Sequence, residues 1–510
     1  MSTAMNDFDC DVLVIGGGIN GVGIARDAAG RGLRVILCEK DDLASHTSSA
    51  SSKLIHGGLR YLEYYEFALV RKALQEREVL MRLAPHIISA RRFIMPHQAH
   101  LRSQWLIRAG LFLYDQLARR DLLPASSAID LRKHVAGAPL KADMVQGFEY
   151  SDAWVDDARL VVLNAVSAAE LGAQICCRTE CLDLQRRDSA WYAELGNRQG
   201  VLRRVRARAV VNASGAWAAE LQHRYSPTLP RKELRLVQGS HIVVKRLFEH
   251  DYAYIFQNSD GRIVFALPYE SEYTLVGTTD LEFKGDQNHP QISAAEIEYL
   301  LNLCNHYFQK QIGVKDIVWT YSGVRPLVDD GKADAKAITR DYRLELDQSG
   351  APILHIFGGK ITTFRKLAEQ ACDQLLAALG RSNQAWTAHA VLPGGDLFQA
   401  MPSNQNVKQF EQFCEQACSA YPFLPSTLVR RYVSLYGTRL HQMLKDCTAL
   451  ENLGQEVLPS LYQVEIEYLR SCEFAVTAQD ILWRRTKLGL HCGPEAASVL
   501  ETWLVAHPVV

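Results

Sequence analysis

The chain has 510 residues, 48% hydrophobic and 22% charged, with a formal net charge of −1. That length predicts more than one domain, and the composition predicts a soluble globular protein with a sizeable core. A net charge near zero gives no support to nucleic-acid binding as the main task, because neutralising phosphates needs a basic surface.

The first 18 residues, MSTAMNDFDCDVLVIGGG, carry Asp7, Asp9 and Asp11, lack a basic stretch and run straight into a strand, so they do not read as a signal peptide. No apolar run reaches the ~20 residues of a spanning helix. The expectation is an intracellular chain, or one resting on a membrane from the cytoplasmic side. Residues 12–15 are a continuous apolar run, as in a parallel strand buried on both faces. Gly16, Gly18 and Gly21 follow in GxGxxG spacing, then an Ala-rich helical stretch and a second strand ending in Glu39. Gly16 permits the tight turn, Gly18 lets backbone approach a pyrophosphate, and Gly21 allows close helix packing. The helix N-terminus presents N–H groups to the phosphates, and Glu39 suits ribose hydroxyls, which disfavours NADP. FAD and NAD both fit this motif alone.

SSASSKLIHGGLRYLE (residues 48–63) begins like a linker but ends in His56, two glycines, Arg60 and Tyr61. It reads as a strip of close packing that leads from cofactor to substrate. Residues 82–140 are mixed; QWLIRAGLFLYDQLARR within them is a helix. Its apolar bulk beside Arg108, Arg119 and Arg120 fits either a membrane contact or an ordinary half-buried helix. Further strands at 209–211 and 354–357 lead into NASGAW and GGKITT, the latter opening a helix with apolar Leu367, Ala371, Leu375 and Leu376 at near-helical period. HIVVKRL, AYIFQN, RIVFALP and YTLVGTT read as antiparallel strands of a substrate-binding sheet. VLPGGDL is a Pro-Gly-Gly break read as a linker, followed by about 115 residues of helical pattern. The 12 cysteines have no CxxC and no metal-ligand spacing, so they are expected to be reduced thiols with no metal and no iron–sulfur cluster.

Together, VIGGGING, NASGAW and GGKITT resemble FAD-dependent oxidoreductases of the D-amino-acid-oxidase-like group. The strip at 48–63, FEYSDAWVDDARL (148–160), GSHIVV (239–244), GTTD (277–280), WTYSGVRPL (319–327), AITRDY (337–342) and WRRTKLGL (483–490) resemble the aerobic, flavin-dependent sn-glycerol-3-phosphate dehydrogenases. One departure is that Ser214 and Ala216 stand where that family is expected to carry Thr and Pro. The resemblance implies oxidation of sn-glycerol 3-phosphate to dihydroxyacetone phosphate, hydride transfer to FAD, and electrons passed to a quinone. It also implies peripheral contact with the cytoplasmic face of the inner membrane and a homodimer. Oxygen as acceptor, or a flavoprotein subunit of a larger complex, are the rival readings.

The expected fold is α/β: a discontinuous Rossmann-like FAD-binding domain (8–79, 148–225, 316–385), an antiparallel-sheet substrate domain (80–147, 226–315) and a C-terminal helical domain (391–510). Expected cofactor residues are Gly16, Gly18, Ile19, Asn20, Gly21, Glu39 and Lys40; Ser48, Ser52, Leu54, Ile55, His56 and Gly57; Cys181, Ala213, Ser214, Gly215 and Trp217; and Gly323, Arg325, Gly358, Gly359, Lys360, Ile361 and Thr362. Arginine forks suit a phosphate, which singles out Arg60, Arg325 and Arg340, with Tyr61 and Lys360 beside them. For a catalytic role the candidates are His241, His56, Arg325 and Lys360, and the general base is one of the two histidines.

Overall fold

A short strand with both faces covered organises the first half of the molecule. The computed structural model describes residues 8–98, 101–197, 199–258, 260–328 and 341–508. In β1 (Cys10–Ile15), Val12 and Val14 face helix α1 (Ile19–Gly30), while Leu13 and Ile15 face the other way. The neighbours are β2 (Val35–Cys38) and the end of a long strand, β10 (Gly200–Asn212), both parallel to β1. The sheet continues outward through β7 (Gln174–Cys176) on one side, and through β18 (Ile353–Phe357) and antiparallel β17 (Arg343–Asp347) on the other. Helices α1, α4 (Asp157–Glu170) and α7 (Phe364–Ala378) cover one face. The N-terminal part of β10 folds back with β8 (Glu180–Arg187) and β9 (Ala190–Asn197) over the other, burying Trp191. The helix expected after GGKITT is α7, and its Leu367, Ala371, Leu375 and Leu376 are all buried.

A second sheet is predominantly antiparallel. Its order is β15 (Leu281–Glu282), β11 (Leu234–Lys245), β14 (Tyr273–Gly277), β13 (Ile263–Tyr269), β12 (Ala253–Gln257), β4 (Ile88–His97), β6 (Gln146–Val155), β3 (Leu54–Ile55). β16 (Ile317–Val328) pairs with β11 along nearly its whole length, and β5 (Ser127–Asp130) pairs with β6. All four strands read from 241 to 279 are present. One face packs on α6 (Ala294–Tyr307), the other on α2 (Phe67–Leu83) and α3 (Gln104–Gln116).

Two expected boundaries move. β6 and β16 fall in the pieces 148–225 and 316–385 expected of the FAD-binding domain, yet both are strands of the second sheet. Each is fixed by a long antiparallel register with a distant partner, Ile88–Val155 through His97–Gln146 for β6 and Leu234–Val328 through Val244–Ile317 for β16. Chain order alone cannot reveal such pairing.

VLPGGDL is not a loose linker. Residues 392–395 are buried, Leu392 N donates to Leu83 O at 2.8 Å, and a Cβ on Gly394 would lie 2.2 Å from Tyr436 O. Beyond it, helices including Phe410–Ala420, Ser426–Tyr436, Gln463–Cys472 and Ala496–Ala506 enclose a core of their own, with a small hairpin at 456–462. This domain is fastened to the first sheet and its covering helix by ion pairs. Arg159 pairs with Glu473 and Lys487 with Asp156, both buried, and the half-buried Arg178 pairs with Asp480. Arg485, fully enclosed, makes two bonds to Asp42 at 2.6 and 2.9 Å. Removing one partner of such a pair strands the other charge in low dielectric. Asp42→Asn is therefore expected to cost about 3–5 kcal/mol, read as a lower Tm; an unchanged Tm would mean that the pair does not hold the domains together.

Candidate active site

The first turn is built by contacts that only glycine permits. Gly16 has φ 113°, and a Cβ there would lie 2.5 Å from Ala213 O; on Gly21 it would lie 1.9 Å from Gly16 O. The β1–α1 turn is thereby pressed against NASGAW at the end of β10. Gly18 caps α1 without a side-chain bond, and Ser48 Oγ accepts from Ile19 N at 3.0 Å. Asn20 donates to Gly358 O at 3.1 Å, which joins this turn to GGKITT 338 residues later. The Glu39 carboxylate accepts from Gly17 N (2.6 Å) and Asp41 N (2.9 Å), and burial raises its pKa despite those bonds. Both oxygens keep lone pairs for a ribose. Glu39, Asp41 and His46 approach one another at the cavity wall, each already bonded within the group or to backbone. Lys40 lines the same cavity as Trp217, with Nζ 3.8 Å from that ring's centroid.

These elements surround a cavity of about 1570 Å³ lined by Gly16, Gly18, Glu39, Ser48, Cys181 and the 213–217 turn. An open helix N-terminus, a carboxylate at the end of the second strand and an elongated cleft fit a dinucleotide cofactor. Ser214, the departure from the expected motif, donates to Asn212 Oδ1 at 2.6 Å and keeps the turn closed.

From here the strip at 48–63 crosses to the second sheet. Thr47 donates to Val324 O, and Ser51 to Asp157 Oδ2, both at 2.7 Å. Lys53, 1% exposed, bonds Asp157 Oδ1 at 2.7 Å. Ser52 Oγ lies 2.9 Å from His241 Nε2. Leu54 and Ile55 then join the sheet edge as β3, and the backbone of His56 exchanges hydrogen bonds with the Thr362 hydroxyl. At Gly58, φ is 78° and the Tyr61 ring lies where a side chain would stand. That ring carries Lys360 Nζ 3.5 Å from its centroid.

His56, Arg60, Tyr61 and Arg325 line a second cavity of about 710 Å³ with Phe265, Thr278 and Asp280. Strand alternation puts Gly239, His241, Tyr321, Gly323 and Arg325 of paired β11 and β16 on one face. Arg325 donates to Thr278 Oγ1 (2.9 Å) and Asp280 Oδ1 (3.1 Å). A Cβ on Gly239 would lie 2.2 Å from Arg325 Nη2, and one on Gly277 2.0 Å from His241 Cδ2. His241 stacks on Tyr321 at 4.7 Å and is 1% exposed. Burial, with Arg325 and Lys53 nearby, drives its pKa well below the ordinary histidine value and so disfavours the charged ring.

A family model described as FAD dependent oxidoreductase matches residues 11–365. A second, described as the C-terminal domain of alpha-glycerophosphate oxidase, matches 385–504. The chain is 50% identical over 501 residues to a glycerol-3-phosphate dehydrogenase of Pseudomonas aeruginosa, covering 98% of this chain and 96% of that one. This chain belongs to the FAD-dependent glycerol-3-phosphate dehydrogenase family. FAD is its cofactor, and the large cavity has the donors to take it. A D-erythritol 1-phosphate dehydrogenase of Brucella abortus is 47% identical over 496 residues, covering 97% of each chain. Among solved structures, a glycerol-3-phosphate dehydrogenase from Bacillus halodurans complexed with FAD superposes with TM-score 0.78 at 25% identity, covering 98% of this chain and 91% of that one.

Of the residues expected at this dehydrogenase's site, Arg340 lies outside the described residues. His241 and Lys360 are not on the wall of the substrate cavity: His241 is bonded to Ser52, which does not line it either, and Lys360 lies over Tyr61, which does. The sequence reading missed Thr278 and Asp280, although GTTD had been noticed; a Thr and an Asp in a turn carry no sign of which arginine they hold. It also missed Thr477, Gln479, Asp480 and Arg484, which bring the C-terminal domain onto the cofactor cavity wall.

Two outcomes follow from this geometry. Gly239→Ala displaces the Arg325 guanidinium and is expected to raise substrate KM by about tenfold or more, with FAD content unchanged; a normal KM would show that the guanidinium has room to move. His241 is expected not to titrate between about pH 5 and 8, because its charged form is disfavoured there; a histidine NMR titration in that window assignable to residue 241 would contradict its enclosure.

Proposed function

We propose that this protein oxidises sn-glycerol 3-phosphate to dihydroxyacetone phosphate and passes the electrons to a membrane quinone. The observation that carries this reading is the Arg60- and Arg325-lined cavity beside the cofactor cleft. FAD, when bound, would supply the hydride acceptor. Everything else falls to the protein. Arg60 and Arg325 meet the anionic phosphate and the substrate oxygens, with Arg325 fixed in advance by Thr278 and Asp280. Lys360 and the N–H groups at 360–362 supply positive potential for charge that develops on the cofactor side. As C2 loses hydride, its hydroxyl loses a proton, and a neutral histidine can take it. His56 lines the cavity, whereas His241, its charged form disfavoured, is bonded to Ser52. His241→Ala is expected to lower kcat far more than it raises KM; an unchanged kcat would leave His56 as the base.

A quinone acceptor implies contact with lipid. No helix among the described residues is long and apolar enough to cross a membrane. α3 is largely exposed, with Trp105 at 71% and Phe112 at 66%, and Tyr65 at 81% stands on the same cavity mouth. Arg119 and Arg120 are ion-paired to Asp121 and Asp115, so the aromatic residues rather than those arginines favour peripheral docking, on the cytoplasmic face. Replacing Trp105 and Phe112 by Ser is expected to abolish vesicle co-sedimentation and leave activity with a soluble acceptor intact. Retained binding would move the contact elsewhere. A homodimer completes the reading.

The deciding experiment is anaerobic titration of the yellow holoprotein with sn-glycerol 3-phosphate. Bleaching at lower concentration than with D-erythritol 1-phosphate supports the substrate; no bleaching with FAD bound overturns it. Reduction of a quinone analogue without peroxide release separates the dehydrogenase from an oxidase.

A further inference from the structure

Behind the substrate face of β11 and β16 lies a buried carboxylate that has no counter-ion among the described residues. Glu296, 3% exposed, stands in the first turn of α6 and forms a capping box with Ser293. Its Oε2 accepts from Ser293 N (2.8 Å), Ser293 Oγ (2.9 Å) and Gln238 Nε2 (3.0 Å). Its Oε1 accepts from Ser240 Oγ (2.8 Å) and Thr279 Oγ1 (2.6 Å). Among the described residues no Lys, Arg or His pairs with it. A capping box needs only the Ser293 bonds. The other three reach into the sheet, and that excess is what a purely local helix cap leaves unexplained.

The residues so gripped sit back to back with the active site. Strand alternation turns Ser240 toward α6 while Gly239 and His241 face the other side. Thr279 accepts from Ser240 N at 2.9 Å while donating to Glu296, so the turn after β14 is locked to β11 at that point. The residues flanking Thr279 in that turn are Thr278 and Asp280, both of which accept from Arg325. Ser240 Oγ also meets Ser322 Oγ at 2.8 Å, which ties in β16 three residues before Arg325. One carboxylate therefore fastens all three segments that set the guanidinium.

We infer that Glu296 is a positioning residue: through Ser240 and Thr279 it fixes the 277–280 turn and, with it, the orientation of Arg325 toward substrate. The net charge suits the task. A carboxylate accepts at both oxygens without competing donors, whereas an amide would turn an N–H toward groups that are already donors. With no cation beside it among the described residues, its bonds are spent on neutral groups whose only common feature is their place behind the site. The inference rests on the reading of Arg325 as a substrate-facing cation.

The test uses the FAD-loaded full-length enzyme. Glu296→Gln and Ser240→Ala cut the sheet side of the network; Ser293→Ala cuts the helix side and serves as the structural comparison; Arg325→Lys tests the underlying reading. KM for glycerol 3-phosphate, KM for a soluble electron acceptor, Tm and FAD content are measured for each. Glu296→Gln and Ser240→Ala are expected to raise substrate KM by about tenfold or more, with acceptor KM and FAD content unchanged. Ser293→Ala is expected to lower Tm through the lost cap and leave substrate KM within about twofold. If Glu296→Gln does not fold, Ser240→Ala alone decides. The inference is overturned if the sheet-side variants behave as Ser293→Ala does while Arg325→Lys impairs substrate binding. If Arg325→Lys leaves KM unchanged, the reading of Arg325 is wrong and the inference falls with it.

Discussion

The ion pair between Lys53 and Asp157 holds the two sheets in their working relation. Both side chains are fully enclosed, and Asp157 opens α4, where the helix N-terminus favours a negative charge. A buried pair of this kind contributes little net stability, because desolvation offsets most of the attraction. Its value is geometric. With Lys53 pinned and Ser51 bonded to the same carboxylate, Ser52 lies under His241 and the chain enters β3 in register. The run of serines is thus a packed bridge whose small side chains let the backbone pass between cofactor cleft and substrate sheet.

The same logic recurs at the other joint. The C-terminal domain meets the nucleotide sheet through Arg485 on Asp42, Lys487 on Asp156 and Arg159 on Glu473. It meets the substrate sheet through Trp483 stacked on Trp319 at 4.4 Å and Tyr273 OH donating to Leu490 O at 2.7 Å. Residues 483–490 therefore touch both sheets at once. A helical domain whose function could not be read from its helices reaches both sheets through this segment, with Glu473 and Asp480 as further anchors.

Local signals made much of this legible. The GxGxxG turn, Glu39 and the four alternating strands each declare themselves within a dozen residues, because period, turn chemistry and charge act at that range. The FAD-dependent group and the glycerol-3-phosphate dehydrogenases were likewise visible in short motifs. What stayed hidden depends on pairing across the chain. β6 was assigned to the wrong sheet because its partner β4 lies some fifty residues earlier. VLPGGDL looked like a linker because Pro-Gly-Gly marks a turn whether the turn is free or packed against Leu83 and Tyr436. Thr278 and Asp280 lay in a quoted motif and Glu296 in a helix-cap pattern, but neither pattern names a partner; they matter through what stands opposite them.

The cofactor cavity also dictates an order of assembly. Its wall includes Thr477, Gln479, Asp480 and Arg484, far later in the chain than the first turn and Glu39. Because synthesis runs from the N-terminal side, a nascent chain forms the floor of the cleft before the residues that close it exist. Any product cut short before Thr477 would keep the nucleotide fingerprint and still lack the wall that encloses the cofactor.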